Sequence, residues 1–180
     1  MSLPLKRLLM FFLRIKYRRK CIKILSQNRT YIAVFENFYK DDIIINWEIF
    51  KQLKLNLKEA TLLKYSVAVI RSKKMRKIKK GKGIIVGEVD ALAILPNGRA
   101  LLIEIKSKMP RPGTKIKVYA NTAYYLKKVF GFKEYVIVML LKNHTIDRAY
   151  VLKRYAIVPY SFLIKMNKED RSIVRELALL

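Results

Sequence analysis

Residues 83–108, GIIVGEVDALAILPNGRALLIEIKSK, decide how the chain is read. Two runs rich in aliphatic residues flank Pro96-Asn97-Gly98. Asn-Gly between such runs is a strong hairpin signal, because both residues tolerate the positive φ of a type I′ turn. Side chains alternate along a strand with a period of two. On the second strand Glu104 and Lys106 therefore share one face, and Leu101, Ile103 and Ile105 take the other. On the first, Glu88 and Asp90 share a face, with Val89 and Ala91 opposing them. The chain holds 13 Asp and Glu against 39 Lys and Arg, and three of those scarce acids fall in this one hairpin. A solvated strand face would be polar throughout, so these carboxylates read as placed for a chemical task.

Carboxylate oxygens suit hard cations, and Mg²⁺ in phosphate chemistry uses one or two of them, with water and substrate completing its shell. A Lys beside such a cation can orient or deprotonate an attacking water and offset charge on a phosphate. Asp90, followed after a turn by Glu104-x-Lys106, resembles the signature of the PD-(D/E)XK nuclease superfamily, and Gly87-Glu88-Val89-Asp90 resembles its Gly-x-x-Asp form. The resemblance is closest in pattern to the RecB-like and archaeal branch that lacks an iron–sulfur cluster, and it covers roughly residues 83–141. It implies an α/β fold with a restriction-endonuclease-like core, a mixed central sheet flanked by helices. It implies DNA cleavage with Mg²⁺ or Mn²⁺, held by Asp90, Glu104 and the carbonyl of Ile105, with Lys106 acting on the water. Glu88 is a further candidate ligand on the Asp90 face. The superfamily often adds a carboxylate from a helix before the hairpin, for which Glu59 is the candidate and Glu48 the runner-up. A Gln-x-x-x-Tyr on the helix after Glu-x-Lys has its counterpart in Asn121 and Tyr125, with Asn in place of Gln. The His found upstream in many members of that branch is missing, since His144 lies downstream.

Composition narrows the alternatives. At 180 residues and 52% hydrophobic, the chain suits one folded domain spanning residues 1–180. A net charge of +26 attracts polyanions, nucleic acid first and an anionic membrane surface second. One cysteine, Cys21, excludes an internal disulfide framework and a Cys-based metal site, and one histidine excludes multi-His sites. The abundance of Lys, Ile, Tyr and Arg is a composition met in heat-adapted proteins. An intracellular, cytoplasmic protein acting on DNA is expected, with a second copy of the chain as a further partner by analogy with nucleases that cut both strands.

Outward from the hairpin, residues 4–26 read as a basic amphipathic helix within a segment 1–30, its stripe formed by Leu5, Leu8, Leu9, Phe12, Ile15 and Ile22. The apolar run from Leu8 to Leu13 is too short to span a bilayer, so no integral membrane association is expected. Residues 30–39 and 65–70 suit strands, with one or two helices across 43–64 after a turn or helix start at Asp41-Asp42. Residues 71–82 hold eight cations in twelve positions; such a run self-repels and reads as a loop or exposed strand end contacting phosphate. The candidate DNA contacts are Lys73, Lys74, Arg76, Lys77, Lys79 and Lys80, joined by Lys108, Arg111, Lys115 and Lys117. A helix from Thr114 to Gly131 would pack Ile116, Tyr119, Ala123, Leu126 and Phe130 on the sheet. Residues 134–141, EYVIVMLL, form a strand buried on both faces, parallel to that of Glu104. Residues 148–164 supply one or two more strands around Pro159, and Asn167 with Asp170 resembles a cap before a last helix, SIVRELALL. Two rival readings stand beside the nuclease. One is a non-catalytic nucleic-acid-binding module on the same fold. The other is a membrane-surface protein using the basic N-terminal segment.

Overall fold

A computed structural model of the chain describes residues 11–12, 16–108, 116–142, 150–152 and 155–168. The strands are β1 (Lys20–Gln27), β2 (Thr30–Glu36), β3 (Leu62–Ser72), β4 (Ile84–Ile94), β5 (Arg99–Lys106), β6 (Glu134–Leu141), β7 (Tyr150–Leu152) and β8 (Tyr155–Pro159). They form one eight-stranded sheet in the order β1-β2-β3-β4-β5-β6-β8-β7. Neighbours from β1 to β5 are antiparallel, β5–β6 and β6–β8 are parallel, and β7–β8 is antiparallel. The helices are α1 (Lys40–Ile45), α2 (Trp47–Asn56), α3 (Met75–Lys79), α4 (Ile116–Phe130) and α5 (Tyr160–Lys168). The chain is thus α/β, with a mixed sheet flanked by helices.

The central strands are buried on both faces because helices cover both. On one face Phe50 and Leu53 of α2 and Leu163 of α5 pack against Ala91, Ala93, Leu101, Ile103, Val138 and Leu140. On the other, Ala123 and Leu126 of α4 pack against Leu92, Ala100 and Leu102. Burying a side chain of this size contributes roughly 1.5–3 kcal/mol. Buried Asn56 ties α2 to α5, donating to the carbonyls of Gln52 and Leu163. Glycine stands at position 87 because α4 crosses there: a Cβ would overlap Thr122 Oγ1, and Thr122 is fully buried.

Several expectations are corrected. Residues 20–26, expected in the N-terminal helix, form β1. A bulge at Ile22 lets Ile22 and Leu25, three residues apart, meet the same core cluster, and a spacing of three reads as helical in the sequence. The type I′ signature also lies elsewhere. Gln27 pairs with Thr30 across Asn28 and Arg29, whose φ values are +45° and +59°. At Pro96-Asn97-Gly98 only Gly98 has positive φ (+82°), and Gly98 N–H donates to the Leu95 carbonyl. Pro fixes a negative φ at the first turn position, so this hairpin closes with a three-residue loop and a left-handed Gly. The basic run at 71–82 is not a plain loop: it contains α3, anchored by fully buried Ile78 beside Phe35. Residues 160–164 are helix rather than strand, and Asn167 lies inside α5. Gly131 does end α4 as expected, with φ +71° and its N–H on the Lys127 carbonyl. Thr114, His144 and the segment SIVRELALL lie outside the described residues, as do residues 1–10. Among the described residues, no helix is long and apolar enough to cross a membrane.

Candidate active site

The hairpin opens where its acids sit. The β4–β5 ladder runs from Ile94–Ala100 to Ala91–Ile103 and ends there. Beyond that pair the Ile105 N–H has lost its strand partner, and Asp90 Oδ2 accepts it at 2.6 Å. Lys106 Nζ donates to Glu104 Oε2 at 2.7 Å. The Lys106 carbonyl accepts the Lys142 N–H on the β6 side. Successive carbonyls along a strand alternate edges, so that of Ile105 faces the gap beside Asp90. Asp90, Glu104, Lys106 and the Ile105 backbone therefore meet at one place.

A second irregularity, in β3, brings α1 to the same place. Ser66 has φ +45°, while Tyr65 pairs with Ala91 and Val67 with Val89. Leu63 and Tyr65 face α2, but Val67 and Val69, of the same parity, face α4; likewise Ala91 and Ala93 face α2 while Val89 faces α4. Both strands turn over at Ser66 and Asp90. Val89 and Ala91 thus do not share a face, contrary to strict alternation. Glu88 lies opposite Ala68, on the side of Phe38 and Tyr39, and its charge helps to raise the Tyr39 hydroxyl, after burial. The same kink suspends the chain after β2: Ser66 O accepts Phe38 N–H at 2.9 Å, and Ser66 Oγ accepts Tyr39 N–H at 2.8 Å. From there α1 starts, and its Asp42 charge is felt at Asp90.

Burial dominates the electrostatics. It raises the Asp90 carboxyl above its ordinary value, against the Ile105 N–H and the Lys106 charge, with Glu88 and Asp42 adding to the rise. Burial and the neighbouring Asp90 push Glu104, only 6% exposed, up to about 7, although Lys106 opposes this. Burial works against the Lys106 ammonium too, but Glu104, Asp90 and Glu88 more than offset it and its pKa is raised. The Tyr119 hydroxyl is pushed well up, by burial first and then by the Glu104 charge beside it. Tyr155 is also raised, by burial first, with Lys106 lowering and Glu104 raising it.

The donors gathered here are hard oxygens: Asp90, Glu104 and the Ile105 carbonyl. Among the described residues no three His, Cys, Asp or Glu side chains group as a ready metal cluster. Mg²⁺ does not require one, since it keeps several waters and takes one or two carboxylates. A buried and a half-buried acid whose charge is poorly compensated suit such a cation.

Other expected residues fall elsewhere. Glu59 is exposed in the turn after α2, next to Thr61, which donates to the Ile94 carbonyl at the loop end of the hairpin. Four residues of strand, about 13 Å, separate Ile94 from Asp90. Glu48 is exposed and lies near Tyr160. The helix-borne acid that approaches the site is Asp42, read from the sequence only as part of a turn or helix start. Asn121 is exposed and Tyr125 packs into the core under α4. The face of α4 that meets the sheet carries Tyr119, Thr122, Ala123 and Leu126. Its site residue is therefore Tyr119, which the helical period marks only as core. A buried Tyr whose hydroxyl needs a partner was the available signal.

Lys73, Lys74, Arg76, Lys77, Lys79, Lys80 and Lys108 are all exposed. Lys73 and Lys77, with Arg71 and Lys82, line a cleft of about 410 Å³ at the start of β4. It lies about 20 Å along the strand from Asp90. Arg111, Lys115 and the Lys117 side chain lie outside the described residues. A larger cleft, about 860 Å³, is lined by Phe11, Arg18, Arg19, Asn37, Phe38, Tyr39, Lys40, Asp41 and Asp42. It adjoins the acidic group through Tyr39 and Asp42.

No protein-family model matches the sequence, and no curated protein matches it. Among solved structures, protein VC1899 from Vibrio cholerae is similar over 70% of this chain and 31% of that one, with 18% identity and a TM-score of 0.39. A likeness that slight says nothing of fold or activity.

Proposed function

We propose that the chain is a metal-dependent nuclease of the PD-(D/E)XK type, hydrolysing phosphodiester bonds in DNA. The observation that carries this reading is the opened hairpin, where Asp90, Glu104 and Lys106 converge although their burial works against the charge on each. The hairpin, the helix α4 and the parallel strand β6 are consistent with a restriction-endonuclease-like core. Asp90, Glu104 and the Ile105 carbonyl would hold Mg²⁺ or Mn²⁺, which supplies positive charge against that developing on the phosphate. Lys106, kept as an ammonium by its acidic neighbours, orients the attacking water and offsets charge on the phosphate, and Tyr119 packs against Glu104. Glu88 stands near the group from the Tyr39 side, and Asp42 adds charge from α1. The exposed lysines and arginines of 71–82 hold the backbone, contacts that carry little sequence information.

Cleavage of labelled linear, circular and branched DNA tests this, with Mg²⁺, Mn²⁺ or EDTA. Metal-dependent cleavage absent in both Asp90→Ala and Lys106→Ala is expected; cleavage that survives both overturns the assignment. One observation favours a second reading, a non-catalytic nucleic-acid-binding module. Lys106 already occupies one oxygen of Glu104, and no third acid is grouped with Asp90 and Glu104 among the described residues. Salt-sensitive binding without cleavage in either metal would establish it.

A further inference from the structure

The 860 Å³ cleft beside the acids is built from residues outside the hairpin and its helix, and its walls are chemically divided. Arg18, Arg19 and Lys40 supply cations, which outnumber the carboxylates of Asp41 and Asp42 on the side toward α1. Phe11, 60% exposed, and half-buried Tyr39 supply aromatic rings. Arg19 is fixed in advance: Nε and Nη2 donate to the Phe38 carbonyl at 3.3 and 3.2 Å, and its guanidinium lies 4.1 Å from the Phe38 ring centre. A guanidinium already immobilised loses little freedom when it meets a phosphate. The volume falls within the roughly 300–1,000 Å³ of sites that enclose a small organic group.

We infer that this cleft receives an unpaired nucleotide next to the scissile phosphate, so that the chain acts on single-stranded nucleic acid or on single-stranded ends and flaps. The inference rests on the nuclease reading for what lies next door, but the cleft's own chemistry can be tested apart from it. A paired base is stacked on both sides and cannot offer its face to Phe11. A single strand can, while its phosphates meet Arg18, Arg19 and Lys40. Binding to single strands combines these two elements, a basic groove and aromatic platforms. Tyr39 and Asp42 line the cleft, and they also stand within electrostatic reach of Glu88 and Asp90 respectively, which joins cleft to site.

The experiment measures binding in EDTA, by fluorescence anisotropy of labelled oligothymidylate, oligouridylate and a DNA duplex of equal length. The full chain is compared with Phe11→Ala and with Arg18→Ala/Lys40→Ala; cleavage of the same molecules is read separately with Mn²⁺. Expected is tighter binding of single strands than of duplex. Phe11→Ala should weaken single-strand binding roughly tenfold, the order of one lost base stack, with duplex binding unchanged. The double variant should weaken single-strand binding and flatten its salt dependence. The two single strands distinguish DNA from RNA. Equal or tighter duplex binding, or single-strand binding indifferent to both variants, overturns the inference even if metal-dependent cleavage is seen. The expected binding pattern with no cleavage leaves the cleft assigned and removes the nuclease reading instead. Because Phe11 is exposed, a change in melting temperature is not expected, and melting curves of each variant verify this.

Discussion

Replacing Glu104 by Gln should stabilise the fold while removing the activity proposed for it. Burial and the adjacent Asp90 move this carboxyl from 4.5 to about 7. One pKa unit is worth about 1.4 kcal/mol, so the ionised side chain costs the native state about 3 kcal/mol above neutral pH. The direction follows from linkage. Between 4.5 and about 7 the folded chain keeps a proton that the unfolded chain has lost. Stability is therefore greatest below this window and falls as pH rises through it. Gln has no such proton, yet its carbonyl oxygen can still accept from Lys106 Nζ. The variant and wild type should match at the acid end of the window and diverge by about 3 kcal/mol above pH 7. Urea denaturation followed by the fluorescence of Trp47, the chain's one tryptophan, which packs against Tyr17, reads this directly. With urea m-values of ~1–3 kcal/mol/M, the midpoint should move by roughly 1–3 M at the alkaline end. An equal difference at both pH values, or a less stable variant at high pH, would refute the reasoning. Either would mean that the Lys106 contact outweighs the burial of Glu104.

Gly87→Ala should cost about 1–3 kcal/mol, because the new methyl enters space held by buried Thr122; Thr122→Ala in the same chain should restore part of it, which denaturation midpoints will show. Ser66→Ala leaves the Tyr39 N–H without its acceptor while keeping a side chain at positive φ, at a cost of about 1–3 kcal/mol. Ser66→Gly loses the same bond but relaxes the backbone, so its cost should be smaller; equal costs would deny φ any part in the effect. Tyr119→Phe keeps the packing of α4 and deletes the hydroxyl set against Glu104. Metal-dependent cleavage should fall about tenfold or more with little change in melting temperature, the size of effect seen when a ligand's supporting partner is removed.

What the sequence disclosed depended on periodicity. β4, β5 and β6 are long runs of aliphatics bounded by Gly, Pro and Asn, and they fold as expected, with β5 and β6 parallel. β1 was hidden because its bulge gives apolar residues a helical spacing. The positive-φ pair Asn28-Arg29 carries no Gly, so the tighter turn of the two hairpins has the weaker signature. Asp90, Glu104 and Lys106 were legible because acids are rare in this chain and these stand in an aliphatic frame. Asp42 and Tyr119 were not. Asp42 reaches the site only because Ser66 turns β3 over and holds the chain that leads into α1. No pattern of alternation contains that kink. Tyr119 occupies a core position of α4, and only the packing against β5 shows that its hydroxyl lies beside Glu104.

A chain of net charge +26 would be expected to favour the ionised form of its carboxylates. Glu104 nonetheless sits near 7, so local burial defeats a protein-wide field that solvent and salt screen. Nothing in the fold requires the carboxylate: Leu102, two residues earlier on the same face, fills its place in the core with an aliphatic side chain. Well-packed apolar residues commonly match or exceed the stability of a buried ion pair. Strongly perturbed groups that gather in a cleft are what functional sites look like. A bound cation should therefore rescue the stability that Glu104 costs. Added Mg²⁺ or Mn²⁺ should raise the wild-type melting temperature above pH 7, where Glu104 is ionised. It should raise that of Glu104→Gln much less, because one of the two carboxylates is gone. Binding to the native state stabilises it in proportion to ligand occupancy, so a titration of melting temperature against metal measures affinity without any turnover. Equal stabilisation of both proteins would place the cation elsewhere and leave the Glu104–Lys106 pair as a structural contact.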